Sequence, residues 1–379
     1  MNKSILLLSV LLSLLACKKD STVEQTPSSS SAVLNLPDTY FNYANPNLPD
    51  YYRNGPVAQS DNTPANNAIS DAGATLGRVL FYDKNLSQNN TISCASCHQN
   101  SNGFSDQAVL SSGFENGSTA RHSMSLANSR YYANRRFFWD ERAQSLEEQV
   151  LLPIQDQVEM GMNLDSLFVK LKGLDYYQYL FSDAFSDGEI NSQNISFALA
   201  QFVRSMVSYT SKYDVGRLQV ANQNTNFPNF SAEENRGKAL FLNPAIGCAA
   251  CHGTDAFIAP GPRNNGLDLD NTADLGVGGV TNNSNANGLF KVGSLRNIAL
   301  TAPYMHDGRF STLREVIEHY NDGVQNNPNL SAPLRLPNGG VRSLNLSSAD
   351  IDALVAFLET LSDPVMLENE RFSDPFKEG

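Results

Sequence analysis

Cys94-Ala95-Ser96-Cys97-His98 and Cys248-Ala249-Ala250-Cys251-His252 decide the reading of this 379-residue chain. Each is C-x-x-C-H, the signature of covalent c-type haem attachment. The chemistry explains the spacing. Two thiols add across the two vinyl groups on one porphyrin edge, and the His directly after the second thiol falls beneath the iron as proximal ligand. Other uses of paired cysteines fit less well. The C-x-x-C pairs of a structural zinc site usually stand about 15–20 residues apart, whereas roughly 150 separate these two. Thioredoxin-like redox pairs, or two small disulfide loops, do not require a His after each pair. The chain has only five His, so a His after both pairs is not what composition alone would give. Two motifs so widely separated predict a mainly α fold with two cytochrome c-like haem domains in tandem.

The composition agrees. Apolar residues make up 41% of the chain, too many for a disordered one, and its length suffices for two compact domains. With 27 Lys+Arg against 39 Asp+Glu, the net charge is -12. That balance excludes a nucleic-acid partner, because no basic excess is available to neutralise phosphates. An acidic surface suits a basic donor protein.

The fifth cysteine is Cys17. It ends an N-terminal stretch that begins Met1-Asn2-Lys3 and continues as an apolar run too short to span a bilayer. Leu14-Leu15-Ala16-Cys17 looks like a bacterial lipobox, which predicts a signal peptide over 1–17 and a lipid anchor on Cys17 in the periplasm or cell envelope. Residues 18–65 are rich in Ser, Thr, Pro, Asn and Asp and read as a flexible tether. An N-terminal haem domain is expected over 66–228 and a C-terminal one over 229–379, divided at the polar stretch Asn222 to Asn229. Ser231 and Glu234 form a capping box opening the second domain. Ile351, Leu354, Val355, Leu358 and Leu361 recur at helical spacing near its end. Segments 71–81, 144–152, 163–172, 191–208 and 312–320 also read as helices, and strand patterns are scarce.

Beyond the haem motifs, the chain carries Phe138-Trp139-Asp140-Glu141-Arg142-Ala143, Pro153-Ile154 followed by Val158-Glu159-Met160, Leu295-Arg296-Asn297, and Thr301-Ala302-Pro303-Tyr304-Met305-His306-Asp307-Gly308. Over roughly 66–363 it resembles the bacterial di-haem cytochrome c peroxidases. A branch of that family oxidises tryptophan residues to make a quinone cofactor. The resemblance implies a peroxidatic iron at His98 and an electron-transferring iron at His252. It makes Trp139, the only Trp, an electron relay between the haems. Without the resemblance, this Trp reads as a core anchor beside Phe137 and Phe138. The resemblance also makes Glu159 the acid–base group at the open face of the first iron, with Gln149 as its hydrogen-bonding neighbour.

Thr312 and Glu315 form a second capping box. In the helix that follows, Leu313, Val316, Ile317 and Tyr320 share one face and turn Tyr320 inward. His319 lies about 100° further round and reads as a solvated partner of Glu315. By resemblance, Tyr320 occupies the axial-ligand position of the second iron, Met in many of the peroxidases and Tyr in the quinone-forming branch. A phenolate favours oxidised iron and lowers its potential relative to a thioether. Met305 is the rival ligand. His306 is expected to hydrogen-bond behind the first ring of contacts.

Two departures from the family pattern stand out. No His occupies the loop near Phe114 where many of these peroxidases carry a removable ligand, so the first iron is expected to be open or weakly ligated. His122 falls instead where the family has an Asn that helps bind calcium, the other ligands being the carbonyls of Thr301 and Pro303. Imidazole suits that hard cation poorly. His122 swinging onto the first iron is the alternative. The leading function is reduction of hydrogen peroxide to water with electrons from a small cytochrome or copper protein. A protein-modifying oxidase and a non-catalytic di-haem electron carrier are the alternatives. Oligomeric state stays open, a homodimer being one option.

Overall fold

Gly77 and Gly237 mark the two helix crossings on which the molecule is built. Ser70 caps the helix Asp71–Tyr82, its hydroxyl accepting from the Gly73 N–H at 3.0 Å. That helix buries Leu76, Val79, Leu80 and Phe81 and packs across Ser192–Ser205. At the crossing, a Cβ on Gly77 would lie 2.0 Å from the carbonyl oxygen of Ala198, so only glycine permits this approach. The second half repeats the device. The Ser231–Glu234 capping box opens Ala232–Leu242, and Ser347 with Asp350 opens Ser348–Glu359. These helices cross at Gly237, where a Cβ would lie 1.8 Å from the Ala353 carbonyl oxygen. The attachment cysteines sit on one-turn helices, Cys94–Cys97 and Cys248–Cys251.

The computed structural model describes residues 33–377. The signal peptide 1–17, Cys17 and the first part of the expected tether lie outside the described residues. Among the described residues the fold is mainly helical, with isolated β-bridges and no sheet, and it holds two tandem cytochrome c-related units. No described helix is long and apolar enough to cross a membrane. The predicted helices are present, with three revisions. The segment 144–152 divides into Leu146–Gln149 and Leu152–Gln155, with Pro153 in the first turn of the second. The 191–208 helix ends at Ser205. The last turn of 312–320 is not α: Leu313–Glu318 passes into a π-turn over His319–Gly323.

Each half has its own apolar core. Leu76, Phe81, Phe104, Tyr177 and Phe202 belong to the first, and Tyr213, Phe241, Phe257, Leu354 and Phe357 to the second. Tyr213 and Phe227 already pack in the second core, ahead of the boundary expected at 228/229. The chain's final segment departs from that division as well. Met366 and Phe372 return to the first core, and Phe376 pairs with Leu34.

Residues 33–65 differ from the flexible tether that composition predicts. Tyr43, Tyr52 and Val57 are buried, and Tyr52 and Val57 pack with Tyr131, Val207 and Ile258 from both halves. These apolar residues are scattered among polar ones, so the segment lacks a period while still offering anchors. Asp363, fully buried, accepts hydrogen bonds from Ser208 Oγ and from the N–H groups of Tyr209 and Thr210. Together these contacts hold the two halves in a fixed relation.

Candidate haem sites

At the first motif, the His98 imidazole places Nδ1 3.1 Å from the Phe104 carbonyl and 3.3 Å from Ser123 Oγ. A carbonyl only accepts, so Nδ1 carries the hydrogen and Nε2 keeps its lone pair for a metal. Ser123 Oγ also donates to the Cys97 carbonyl at 2.7 Å, tying the motif to the following loop. Burial holds His98 below the ordinary histidine range, partly offset by the Phe104 carbonyl. The donor set fits an iron whose proximal ligand is His98.

Glu159 approaches this motif closely enough for its charge to act on both the Cys94 and Cys97 thiols. Its backbone is clamped. Asp156 Oδ1 accepts from the N–H groups of Val158 at 2.8 Å and Glu159 at 3.1 Å, and the Glu159 carbonyl accepts from Phe114 N–H at 3.0 Å. Gly113 makes that contact possible, since a Cβ there would sit 1.6 Å from the Val158 oxygen. The Glu159 carboxyl is pushed up to about 7, by burial first and then by the negative charge of Asp156, with Arg142 opposing. Gln149 is half-buried at the end of Leu146–Gln149, and among the described residues no hydrogen bond joins it to Glu159. Phe114, near the place of the removable His, is a buried ring lying against Gly161.

His122 is held away from the first motif's open face in this structure. Its ring is buried, with Nδ1 3.1 Å from the Ala108 carbonyl and Nε2 3.3 Å from Ser105 Oγ. Ser105 follows Phe104, whose carbonyl holds the Nδ1 side of His98. The imidazole of His122 therefore lies behind the proximal ligand, on the side away from the iron position, and not on the open face. His122, Thr301 and Pro303 line one cavity. An imidazole carries no oxygen, so the His122 side chain offers calcium no hard ligand. Among the described residues no group of three His, Cys, Asp or Glu is poised to hold a metal.

That cavity belongs to the second motif. Cys248, Cys251 and His252 line it, opposed by Leu313, Val316, Ile317 and Tyr320. Burial pushes the His252 ring down to about 4, with the Phe257 backbone opposing, so the imidazole is neutral as a ligand must be. A largely apolar cavity with two thiols and a neutral imidazole fits a haem. The Tyr320 phenol is pushed up to about 12 by burial, opposed by the Asn265 side chain, and it senses the charges of Cys251 and Cys248. Met305 also lines the cavity, and its sulfur accepts from Asn265 Nδ2 at 3.4 Å. The motif cysteines pack against different cores, Cys94 with the first and Cys248 with the second, which disposes of a shared zinc site.

His319 overturns its expected role. It is buried, its Nε2 3.0 Å from the Asn265 carbonyl, and it packs against the Phe310 ring. The α register holds through His319, whose N–H still bonds the Glu315 carbonyl, but the Glu315 carboxylate is taken up by Ser311 and Thr312 at the helix start. His306 is buried and stacks on Phe290 with ring centroids 3.8 Å apart.

Trp139 stands where the halves meet. Its indole N–H donates to the His122 carbonyl at 2.8 Å, and its own carbonyl accepts from Lys291 N–H at 2.8 Å. Its ring also lies edge-on to His306 at 6.4 Å. Beside it, Arg121 clasps Asp274 of the second half with two 2.8 Å hydrogen bonds and reaches Asp140 at 2.6 Å. Neither this clasp nor Lys291 had a sequence signal, because their partners are remote in the chain.

A family profile described as di-haem cytochrome c peroxidase matches residues 71–221, and one for cytochrome c matches 234–362. The methylamine utilization protein MauG of Methylorubrum extorquens is 34% identical over 299 residues, which is 79% of this chain and 80% of the relative. The cytochrome c551 peroxidase of Nitrosomonas europaea is 33% identical over 252 residues, 65% of this chain and 71% of the relative. The crystal structure of a MauG-like protein associated with microbial copper homeostasis superposes with a TM-score of 0.75 at 31% identity, covering 87% of this chain and 99% of that one. Two attachment motifs on two glycine-crossed cores, and relatives of this extent, place the chain in the di-haem cytochrome c peroxidase family with its MauG-like members, whose cofactors are haems.

Proposed function

We propose that this protein is a peroxidase that reduces hydrogen peroxide to water with electrons from a small redox protein. The observation that carries the reading is Glu159, a carboxyl held near neutrality beside the first attachment motif, on a segment clamped by Asp156 and Phe114. When bound, the haems supply and store the two electrons that the reaction consumes. Glu159 takes the proton from one peroxide oxygen and returns it to the other, so that water departs as the O–O bond breaks. A group titrating near pH 7 can do both. Trp139, hydrogen-bonded to both halves, orients the contact across which electrons pass. Tyr320 is assigned as the second ligand at the iron of His252 on the strength of the resemblance, Asn265 contacting both it and the rival Met305.

The test is stopped-flow absorption with peroxide, then steady-state consumption with reduced cytochrome and copper-protein donors. A fast Soret change at one haem and donor-dependent turnover are the expected results. No response at either haem, before and after one-electron reduction, would leave a non-catalytic electron carrier.

A second reading, a protein-modifying oxidase, is favoured by Tyr320 because the resemblance puts Tyr there in the quinone-forming branch. It predicts sluggish turnover with small donors and oxidation of a partner protein's aromatic side chains. The N-terminal stretch supports export, with a lipid anchor on Cys17 at the cell envelope. Mass spectrometry of the mature N-terminus tests that assignment.

A further inference from the structure

Lys291 is only 5% exposed and lines the cavity of the second motif. Its Nζ lies over the rings of Tyr132 and Phe137, 4.7 and 5.1 Å from their centroids, and 3.6 Å from the sulfur of Met124. Among the described residues no carboxylate forms an ion pair with it. Glu141, an acid whose charge reaches it, is occupied by the Tyr132 hydroxyl and by Asn134 Nδ2 at 2.7 Å. Burial pushes the amine down to about 8, with Glu141 opposing. A buried ammonium is costly unless an anion meets it, and folds keep such groups where one arrives.

Haem brings two carboxylates. Attachment through Cys248 and Cys251 fixes the vinyl edge at one end of the cavity, and the propionate edge of a porphyrin is the one remote from those vinyls. The end remote from the cysteines is lined from the first half of the chain, by His122, Met124 and Trp139. Lys291 is at that end, its backbone bonded to Trp139. Arg263 also lines the cavity, but its side chain interacts with Cys251 at the attachment edge.

We propose that Lys291 is the anchor for a propionate of the haem held at His252, and that this ion pair keeps the reduction potential of that haem raised. The proposal rests on the haem reading of the second motif and is independent of the peroxidase activity. A fixed cation favours the reduced iron, which carries one positive charge fewer. Placed beside Trp139, the pair also defines the edge of the second haem that faces the first half.

The experiment uses purified holoprotein with its haems counted by mass spectrometry. Potentiometric titration, followed at the absorbance of the second haem, compares wild type with Lys291→Gln and Lys291→Arg. The expected result is a lower potential in Lys291→Gln, a near-wild-type potential in Lys291→Arg, and two haems in each. An unchanged potential in a fully loaded Lys291→Gln overturns the proposal. Should Lys291→Gln lose haem, wild type alone decides the matter. A paired Lys291 keeps its proton, so the potential runs without inflection through pH 8. An inflection near 8, where the unpaired amine would titrate, overturns the proposal. The other groups facing Lys291 do not obscure that window. Tyr132 is driven well above it by burial and Glu141, and His306, behind Phe290, is held below the usual histidine range by burial. Fewer than two haems in the wild-type protein would count against the haem reading itself.

Discussion

Gly77 and Gly237 let two helix pairs cross in the same way, yet the side chains gathered around His98 and His252 diverge. At His98, the imidazole is oriented by Phe104 and Ser123, and a carboxyl titrating near neutrality stands close by. At His252, only the Phe257 backbone offsets the burial of the ring, and an inward phenol stands where the first site has a carboxyl. On the proposed function, one frame serves two tasks, proton handling at the first site and electron storage at the second. The division predicts that damage at each site has its own signature.

The largest expected effect is at Glu159. Glu159→Gln keeps the shape and removes the base, so peroxide cleavage should slow by about 100- to 10,000-fold. Peroxide binding, read by stopped-flow absorption, should change little. Equal losses in binding and cleavage would end the acid–base assignment and erase the contrast between the sites. Next comes Tyr320→Phe, which should alter the low-spin ferric spectrum of the second haem and leave the first haem's response to peroxide intact. If the spectrum is indifferent to this change, Tyr320 is not a ligand.

The shared frame can be broken too. An added methyl at Gly77 or Gly237 meets a backbone carbonyl that has no room to yield. Gly77→Ala and Gly237→Ala should each cost about 1–3 kcal/mol, the usual range for overpacking. Calorimetry then reads how tightly the halves are coupled. Asp363, the clasp between Arg121 and Asp274, and the returning Met366 and Phe372 predict that either variant lowers a single shared transition. Two separate transitions would show that these contacts do not couple the halves.

What the sequence disclosed was local. The C-x-x-C-H motifs, the capping boxes at Ser231 and Thr312, and the inward face of Leu313, Ile317 and Tyr320 depend on neighbours within a few residues. What it concealed depends on remote partners. His319 was misplaced because its ring partner, the Asn265 carbonyl, lies 54 residues away in the chain. The packing of Tyr43 and Tyr52 was hidden because their neighbours lie far along the chain. Lys291 and the Arg121–Asp274 clasp were hidden for the same reason. Chemistry written in adjacent residues is legible in one dimension, and electrostatics between the halves is not.

The smallest predicted effect is the sharpest test of the first site. Glu159 must be ionised to accept a proton, so turnover should fall as pH drops through about 7, and Glu159→Gln should abolish that limb. After burial, the negative charge of Asp156 is the next contribution holding Glu159 up, and Arg142 pulls it down. Asp156→Asn removes the repulsion and keeps an Oδ1 to accept from Val158 and Glu159, so the turn persists. The limb should therefore move to lower pH, by a few tenths of a unit, because Asp156 is exposed and its field is screened. Arg142→Gln should move it to higher pH by a similar step. Opposite displacements would tie the limb to Glu159 through named charges. Displacements in the same direction would mean that the profile reports some other group, and that the proton at the first site is held elsewhere.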